Sequence, residues 1–400
     1  MSGEAGASGE AAVSVKPAVS GEPAVSVKPG LRFSPNHDPE CYFAGKGGPA
    51  GKPAAKSGRA WLWRLAALLM AAAVVVSCQT PAASARPVEI GMCVRMLFTP
   101  PAEVQRQFDL MEQMNVKLVR VDFDWSAIEG EKGRYDWSYT DLIARQAADH
   151  NMQVLGLLTY TPGWARPPGT DSHVPPTEAA DFAEFARAAA NRYAPQGLRS
   201  WEIWNEPNSS DYWVPRPDVD RYGELFRAAS AAIHDVDGGA TVMTGGLTRG
   251  TDTADGSRIS QTTFIDGLYL NGAAQAADAI AVHPYSFPSL PAGDAGGPVG
   301  GLADLPALHD LMQRNGDGGK KIWITEFGAA TGSSTEAMSD TDQAASLLQA
   351  RQLVETWDWA GPLIFYEFRD AGTDPADLEQ NFGVVRADLT LKDAGVALKD

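Results

Sequence analysis

Cysteine is scarce in this chain: Cys41, Cys78 and Cys93 are the only three, and no paired spacing suggests a metal site or a disulfide framework. Six histidines are scattered with neither a His-x-His nor a His-x-x-x-His pair, which argues against a metal-dependent hydrolase. No metal and no cofactor is therefore expected. A glycine-rich phosphate loop is missing after the first predicted strand, so a dinucleotide-binding open sheet loses its main signature. Positive charge is short as well. Residues 1–86 hold nine Lys/Arg and five Asp/Glu, and the remainder carries a balance of −21, which speaks against nucleic acid as a partner. An acidic surface suits an exported protein acting on a neutral ligand.

Eleven Trp residues are present, and indole faces serve equally as platforms for sugar C–H surfaces or as core filling. Residues 1–59 are rich in Ala, Gly, Pro and Ser, repeat AVSVKP at 12–17 and 24–29, and have too few large apolar residues to offset the entropy of ordering. They read as a disordered tail. The segment 60–86 opens with WLWRLAALLMAAAVVVSC behind Lys52, Lys56 and Arg59, and its apolar stretch Leu65 to Val76 has the length of a signal-peptide core rather than a full span. Three outcomes stay open. VVSC resembles a bacterial lipobox that would make Cys78 the lipidated first residue, Ala83-Ser84-Ala85 is a competing cleavage site, and the segment also reads as an uncleaved membrane anchor. Each implies export, to the cell surface or beyond it. Oligomeric state is not legible.

From residue 87 to 400 one grammar repeats: a short apolar run, a turn, then a helical pattern. The runs are 88–96, 117–125, 153–162, 200–207, 240–248, 279–286, 321–329 and 363–370. Eight is the number that a closed (β/α)8 TIM barrel needs, and near-continuous apolar runs suit parallel strands covered on both faces. Val104, Phe108 and Met111 are expected on one buried helix face, and Tyr222, Leu225, Phe226, Ala229 and Ile233 on another. Thr99 before Pro100 is expected to cap the first helix.

The working residues of such a barrel stand where strands end. Polar residues gather there: Arg120, Asp122 and Asp124; Thr159 and Tyr160; Asn205 and Glu206; His283 and Tyr285; Glu326; and Tyr366 to Asp370. Glu206 and Glu326 each follow apolar residues, and two carboxylates in opposite environments divide acid and base work, as glycoside cleavage requires. Trp164 and Trp213 fall in rim loops, where each either stacks on a sugar or packs its loop. Glu202, inside the fourth run, is expected to be a structural partner of Arg120.

WEIWNEP (201–207) with the later WITEFG (323–328) resembles the paired signature of clan A glycoside hydrolases, over essentially residues 88–395. Within the clan, VRVDFDW, EGEKGRYDW, HPY and FRD…NFGVVR look most like family 39 and the neighbouring family 5 type bacterial hydrolases. The resemblance implies Glu206 as general acid/base, Glu326 as nucleophile, Asn205 as donor to the sugar hydroxyl beside the reacting carbon, and Arg120, His283 and Tyr285 as nearby groups. Many clan members end the eighth strand with a Trp; this chain reads IFYEFRD, so Tyr366 or Phe368 takes that face, while Arg369 and Asp370 are expected to lock the last loop. The expected activity is retaining hydrolysis of β-glycosidic bonds in an oligo- or polysaccharide. A polysaccharide receptor without turnover and a transglycosylase using the same pair are the alternatives.

Overall fold

In the computed structural model, residues 87–291 and 299–399 are described, and the expected tail and export segment lie outside them. Among the described residues no helix is long and apolar enough to cross a membrane.

Eight strands run parallel: β1 (Ile90–Cys93), β2 (Leu118–Asp124), β3 (Gln153–Thr159), β4 (Ser200–Ile203), β5 (Thr241–Thr244), β6 (Ala279–His283), β7 (Lys321–Phe327) and β8 (Ala360–Phe365). β1 pairs with β2 through Gly91↔Leu118 and with β8 through Gly91↔Ile364, so the sheet closes and has no edge to protect. Between β5 and β6 the pairing Met243↔Ala279 is resumed, after Gly245-Gly246, by Leu247–Thr248 alongside Val282 and His283. This is the expected TIM barrel. Its outer ring is α1 (Pro101–Gln113), α2 (Ser138–Asp149), α3 (Ala179–Tyr193), α4 (Val219–His234), α5 (Gln261–Leu270), α6 (Leu305–Arg314), α7 (Asp340–Val354) and the short α8 (Asp393–Ala397), one after each strand.

The two-residue period of a strand assigns the faces. On β2, Val119, Val121 and Phe123 join the outer core under the helices, whereas Leu118 joins a small inner cluster with Cys93, Leu155, Met243, Ala279, Ala281 and Ile364. Arg120 and Asp122 share the face of Leu118. The barrel axis is therefore floored by apolar side chains and becomes polar toward its carboxyl-terminal end. Helix faces follow the sequence pattern: α1 buries Val104, Phe108 and Met111, and α4 buries Tyr222, Leu225, Phe226, Ala229 and Ile233. Asp218, Ser260 and Ser339 cap α4, α5 and α7 by accepting a backbone N–H.

Two expectations are corrected. Pro100, not Thr99, holds the cap position of α1 and gives no side-chain bond, because the helix begins one residue later than a Thr99 cap requires. β8 begins at Ala360, ahead of the predicted run, although Gly361-Pro362 reads as a turn. The β7–β8 register shifts there, and Gly361 lets the Trp323 ring approach so closely that an added Cβ would lie 2.6 Å from it.

Candidate active site

After Ile203 the β4 backbone leaves the ladder. Trp204 and Glu206 both take positive φ, 71° and 43°, a conformation that costs non-glycine residues about 1–3 kcal/mol each and persists only where the surroundings hold it. Here they do. The Trp204 indole N–H donates to Tyr212 O at 2.8 Å, the Trp204 N–H donates to Leu158 O at 2.8 Å, and the Glu206 N–H donates to Gly246 O at 3.1 Å. Gly246 is obligatory at this crossing, since a Cβ on it would stand 2.0 Å from His283 Nε2. On β7 a register shift between Ile324 and Phe327 turns Glu326 in toward the axis.

Arg120, 4% exposed, organises the inner layer. Its Nε and Nη2 donate to the two oxygens of Glu202 at 2.6 and 3.2 Å, Nη1 donates to Glu326 Oε1 at 2.6 Å, and Nη2 donates to Asn205 Oδ1 at 3.0 Å. Glu202 is fully buried and also accepts from the Gly246 N–H at 2.7 Å and the Thr325 hydroxyl at 3.1 Å, so its charge is paired and its lone pairs are used. It is the structural partner that the sequence pointed to. Because Asn205 Oδ1 is held by Arg120, its Nδ2 is left as a donor at the cleft.

Glu326 accepts from Arg120 on one oxygen and from the Tyr285 hydroxyl on the other, at 2.7 Å. Burial pushes its carboxyl up, but His283, Arg120 and Tyr285 together outweigh burial and hold it below the usual carboxylate range. Glu326 is thus ionised in ordinary buffers. The Tyr285 phenol is pushed well above its usual value by burial and then by Glu326, so it remains a donor.

Glu206 sits differently. Its Oε1 meets His283 Nδ1 at 2.9 Å, while His283 Nε2 meets the Thr325 hydroxyl at 3.1 Å. The Thr325 hydrogen goes to Glu202, so Nε2 carries a hydrogen and donates to Thr325. The short contact between Nδ1 and Glu206 then needs one proton, either on the acid beside a neutral imidazole or on Nδ1 of an imidazolium. One oxygen of Glu206, one of Glu326 and a nitrogen of His283 all lie within 4.8 Å of one another.

Two lobes meet at this pair. One, about 300 Å³, is lined by Arg120, Asp122, Tyr160, Asn205, Glu326 and Arg95, with Cys93 at its floor. The other, about 370 Å³, is lined by Glu206, Arg249, Arg258, Tyr285, Phe287 and Phe382. Tyr212, Glu326, Tyr366 and Glu379 border both. Of the two aromatic candidates on the eighth run, Tyr366 faces the cleft and Phe368 is 1% exposed in the core. The guanidinium of Arg95 lies 5.2 Å over the Tyr366 ring and hydrogen-bonds its hydroxyl.

The structure does not bring Trp164 to this cleft. Its indole N–H donates to Glu129 O at 2.7 Å and its ring packs edge-on against Trp125 at 5.4 Å, so the expected sugar platform is a packing residue. Trp213 is likewise buried, edge-on to Trp204. Arg369 donates to Ala387 O and pairs with Glu103, and Asp370 accepts from Lys392 and the Gly383 N–H, which is the lock expected of them. Arg95, Tyr212, Arg249 and Glu379 were not foreseen: Arg95 stood inside the first apolar run, and the other three come from loops whose path to the cleft has no mark in local sequence.

A family model described as cellulase, glycosyl hydrolase family 5, matches residues 82–361. No curated protein matches the sequence. Among solved structures, a family 39 glycoside hydrolase from the gut symbiont Bacteroides cellulosilyticus WH2 is similar at 26% identity and TM-score 0.63, over 78% of this chain and 63% of that one. The chain thus spans less than two thirds of that enzyme's length. A glucosidase from Croceicoccus marinus (17% identity, TM-score 0.58, 79% of this chain and 67% of that one) and the exo-beta-1,4-mannosidase Op5Man5 from Opitutaceae bacterium strain TAV5 (18%, 0.55, 80% and 59%) share the fold.

Proposed function

We propose that this chain, which belongs to the cellulase family, glycosyl hydrolase family 5, cleaves β-linked glycosides by double displacement with retention at the anomeric carbon. As a glycoside hydrolase it acts on carbohydrate. The observation that carries the finer reading is the gap between the two acids: an oxygen of Glu206 and one of Glu326 lie within 4.8 Å. Carboxyl groups about 5–5.5 Å apart support a covalent intermediate, whereas inversion needs roughly 6.5–9.5 Å to admit water between the base and the sugar.

The roles follow from the environments. Glu326, held ionised, attacks the anomeric carbon. Glu206 delivers the proton shared with His283 to the leaving oxygen as the glycosidic bond breaks, giving a glycosyl ester on Glu326 and a free alcohol. Glu206 then takes a proton from water, the water oxygen attacks the same carbon from the opposite side, and Glu326 leaves as carboxylate. Asn205 Nδ2 donates to the hydroxyl beside the reacting carbon, a bond that tightens as the ring gains positive charge.

Glu206→Ala tests the acid role. Substrates with poor leaving groups should lose at least about 10³-fold in kcat/KM, and activated aryl glycosides much less, because only the former need protonation. Steady-state kinetics across a leaving-group series measures this. Equal losses on both would remove Glu206 from the role, and full activity on natural glycans would remove the reading.

Export remains part of the proposal. It is supported by Lys52, Lys56 and Arg59 preceding the apolar run and by the VVSC string at Cys78, all outside the described residues.

A further inference from the structure

Glu326 borders both lobes; the one that also holds Asn205, but not Glu206, receives the sugar whose bond is broken, and the lobe that holds Glu206 receives the leaving group. On the glycone side three polar side chains make no hydrogen bond within the described protein. They are the Asp122 carboxylate on the inward face of β2, the Tyr160 hydroxyl just past β3 and the Tyr212 hydroxyl beyond β4. Other cleft groups are already paired: Arg120 with Glu202, Arg95 with Glu367 and Glu326 with Arg120 and Tyr285. An ionised carboxylate only accepts, so a sugar group that meets it in the lobe has to be a donor. Its neighbours Glu326 and Glu379 in the same lobe are acidic too, which makes the lobe hostile to an anionic ring.

We propose that Asp122 is the specificity-determining residue of the glycone site, accepting hydroxyl donors of a neutral pyranose and excluding a uronic acid in that position. This rests on the reading of the cleft as a retaining glycosidase centre. A site built to hydrogen-bond its ligand rejects analogues that leave its polar groups unpaired, so Asp122 discriminates as well as binds. Its side chain is exposed to the lobe. Desolvation within the cleft pushes its carboxyl up to about 6, with Arg120 and Arg95 pulling down and Glu326 and Asp124 pushing up. The hydroxyls of Tyr160 and, behind, Tyr139 are the other titratable groups that feel its charge. Below about pH 6 the protonated acid loses acceptor capacity, so KM rises as pH falls.

The experiment compares wild type, Asp122→Asn and Asp122→Ala on aryl β-glycosides of neutral mono- and disaccharides and on the matching β-uronides, from pH 5 to 8. Wild type should favour the neutral glycone by about 100-fold in kcat/KM. Asp122→Asn should lose about tenfold or more on it, mainly through KM, flatten the pH dependence of KM and narrow the gap to the uronide. Both variants should unfold at the wild-type temperature, because Asp122 holds nothing in the fold. Asp122→Asn within twofold of wild type, with KM still rising at low pH, overturns the assignment and leaves the reaction standing. So does a wild type that prefers uronides. Turnover no greater than that of Glu206 and Glu326 variants on every glycoside would instead sink the reading of the reaction, and this assignment with it.

Discussion

Glu326→Ala lowers kcat by about 10⁴-fold or more, and sodium azide restores turnover with an α-glycosyl azide as product from a β-glycoside. The loss is large because Glu326 forms the bond that splits one difficult displacement into two. The rescue follows from what the substitution leaves behind. Arg120 Nη1 and the Tyr285 hydroxyl, 2.6 and 2.7 Å from the missing oxygens, remain aimed at a vacated space that calls for an anion. Azide seated between them attacks from the Glu326 side, opposite the leaving group, so the carbon inverts once. Rates with and without azide, and the anomeric configuration of the azide product, are the measurements. A variant that keeps more than a tenth of the wild-type rate would take the nucleophile's role away from Glu326.

Arg120→Lys produces the second large effect, on activity and stability together. Lys keeps the positive charge but cannot present the planar fork that reaches Glu202, Asn205 and Glu326 at once. Glu202, fully buried, then keeps Gly246 N–H and the Thr325 hydroxyl as its fixed donors but loses the forked bond; complete removal of one partner of a buried pair costs about 3–5 kcal/mol, which bounds the loss from above. Against a total folding stability of roughly 5–15 kcal/mol that is a large share, visible as a lowered urea midpoint. Activity should fall by about 10²-fold or more, because Asn205 loses the bond that orients its amide. The pH profile gives the sign. Arg120 helps to hold the Glu326 carboxyl low, so without its hydrogen bond the carboxyl rises and the acid limb of kcat/KM moves to higher pH. Wild-type stability together with an unmoved acid limb would refute the role given to Arg120.

The barrel was legible because parallel strands covered on both faces read as apolar runs, and because their polar ends fall on one rim. The acids on β4 and β7 stood out for the same reason: a carboxylate that closes an apolar run has to be explained. Arg120 and Asp122 were visible as rim residues, yet only the closed sheet shows that they share the inward face of Leu118. Trp164 illustrates a limit of another kind. An indole in a rim loop has the same local sequence whether it faces a sugar or, as here, donates to Glu129 O and packs on Trp125. Arg95, Tyr212 and Glu379 reach the cleft from three loops separated by more than a hundred residues each, so no window of sequence could join them. Pro362 hid the start of β8, since a proline reads as a break until a register shift accommodates it.

The most direct measurement is the anomeric configuration of the first-formed sugar, followed by proton NMR before mutarotation. Carboxyl oxygens of Glu206 and Glu326 within 4.8 Å of each other predict that a β-glycoside releases the β-sugar. Initial release of the α-sugar would mean that water, not Glu326, attacks first, and would contradict the account at its centre.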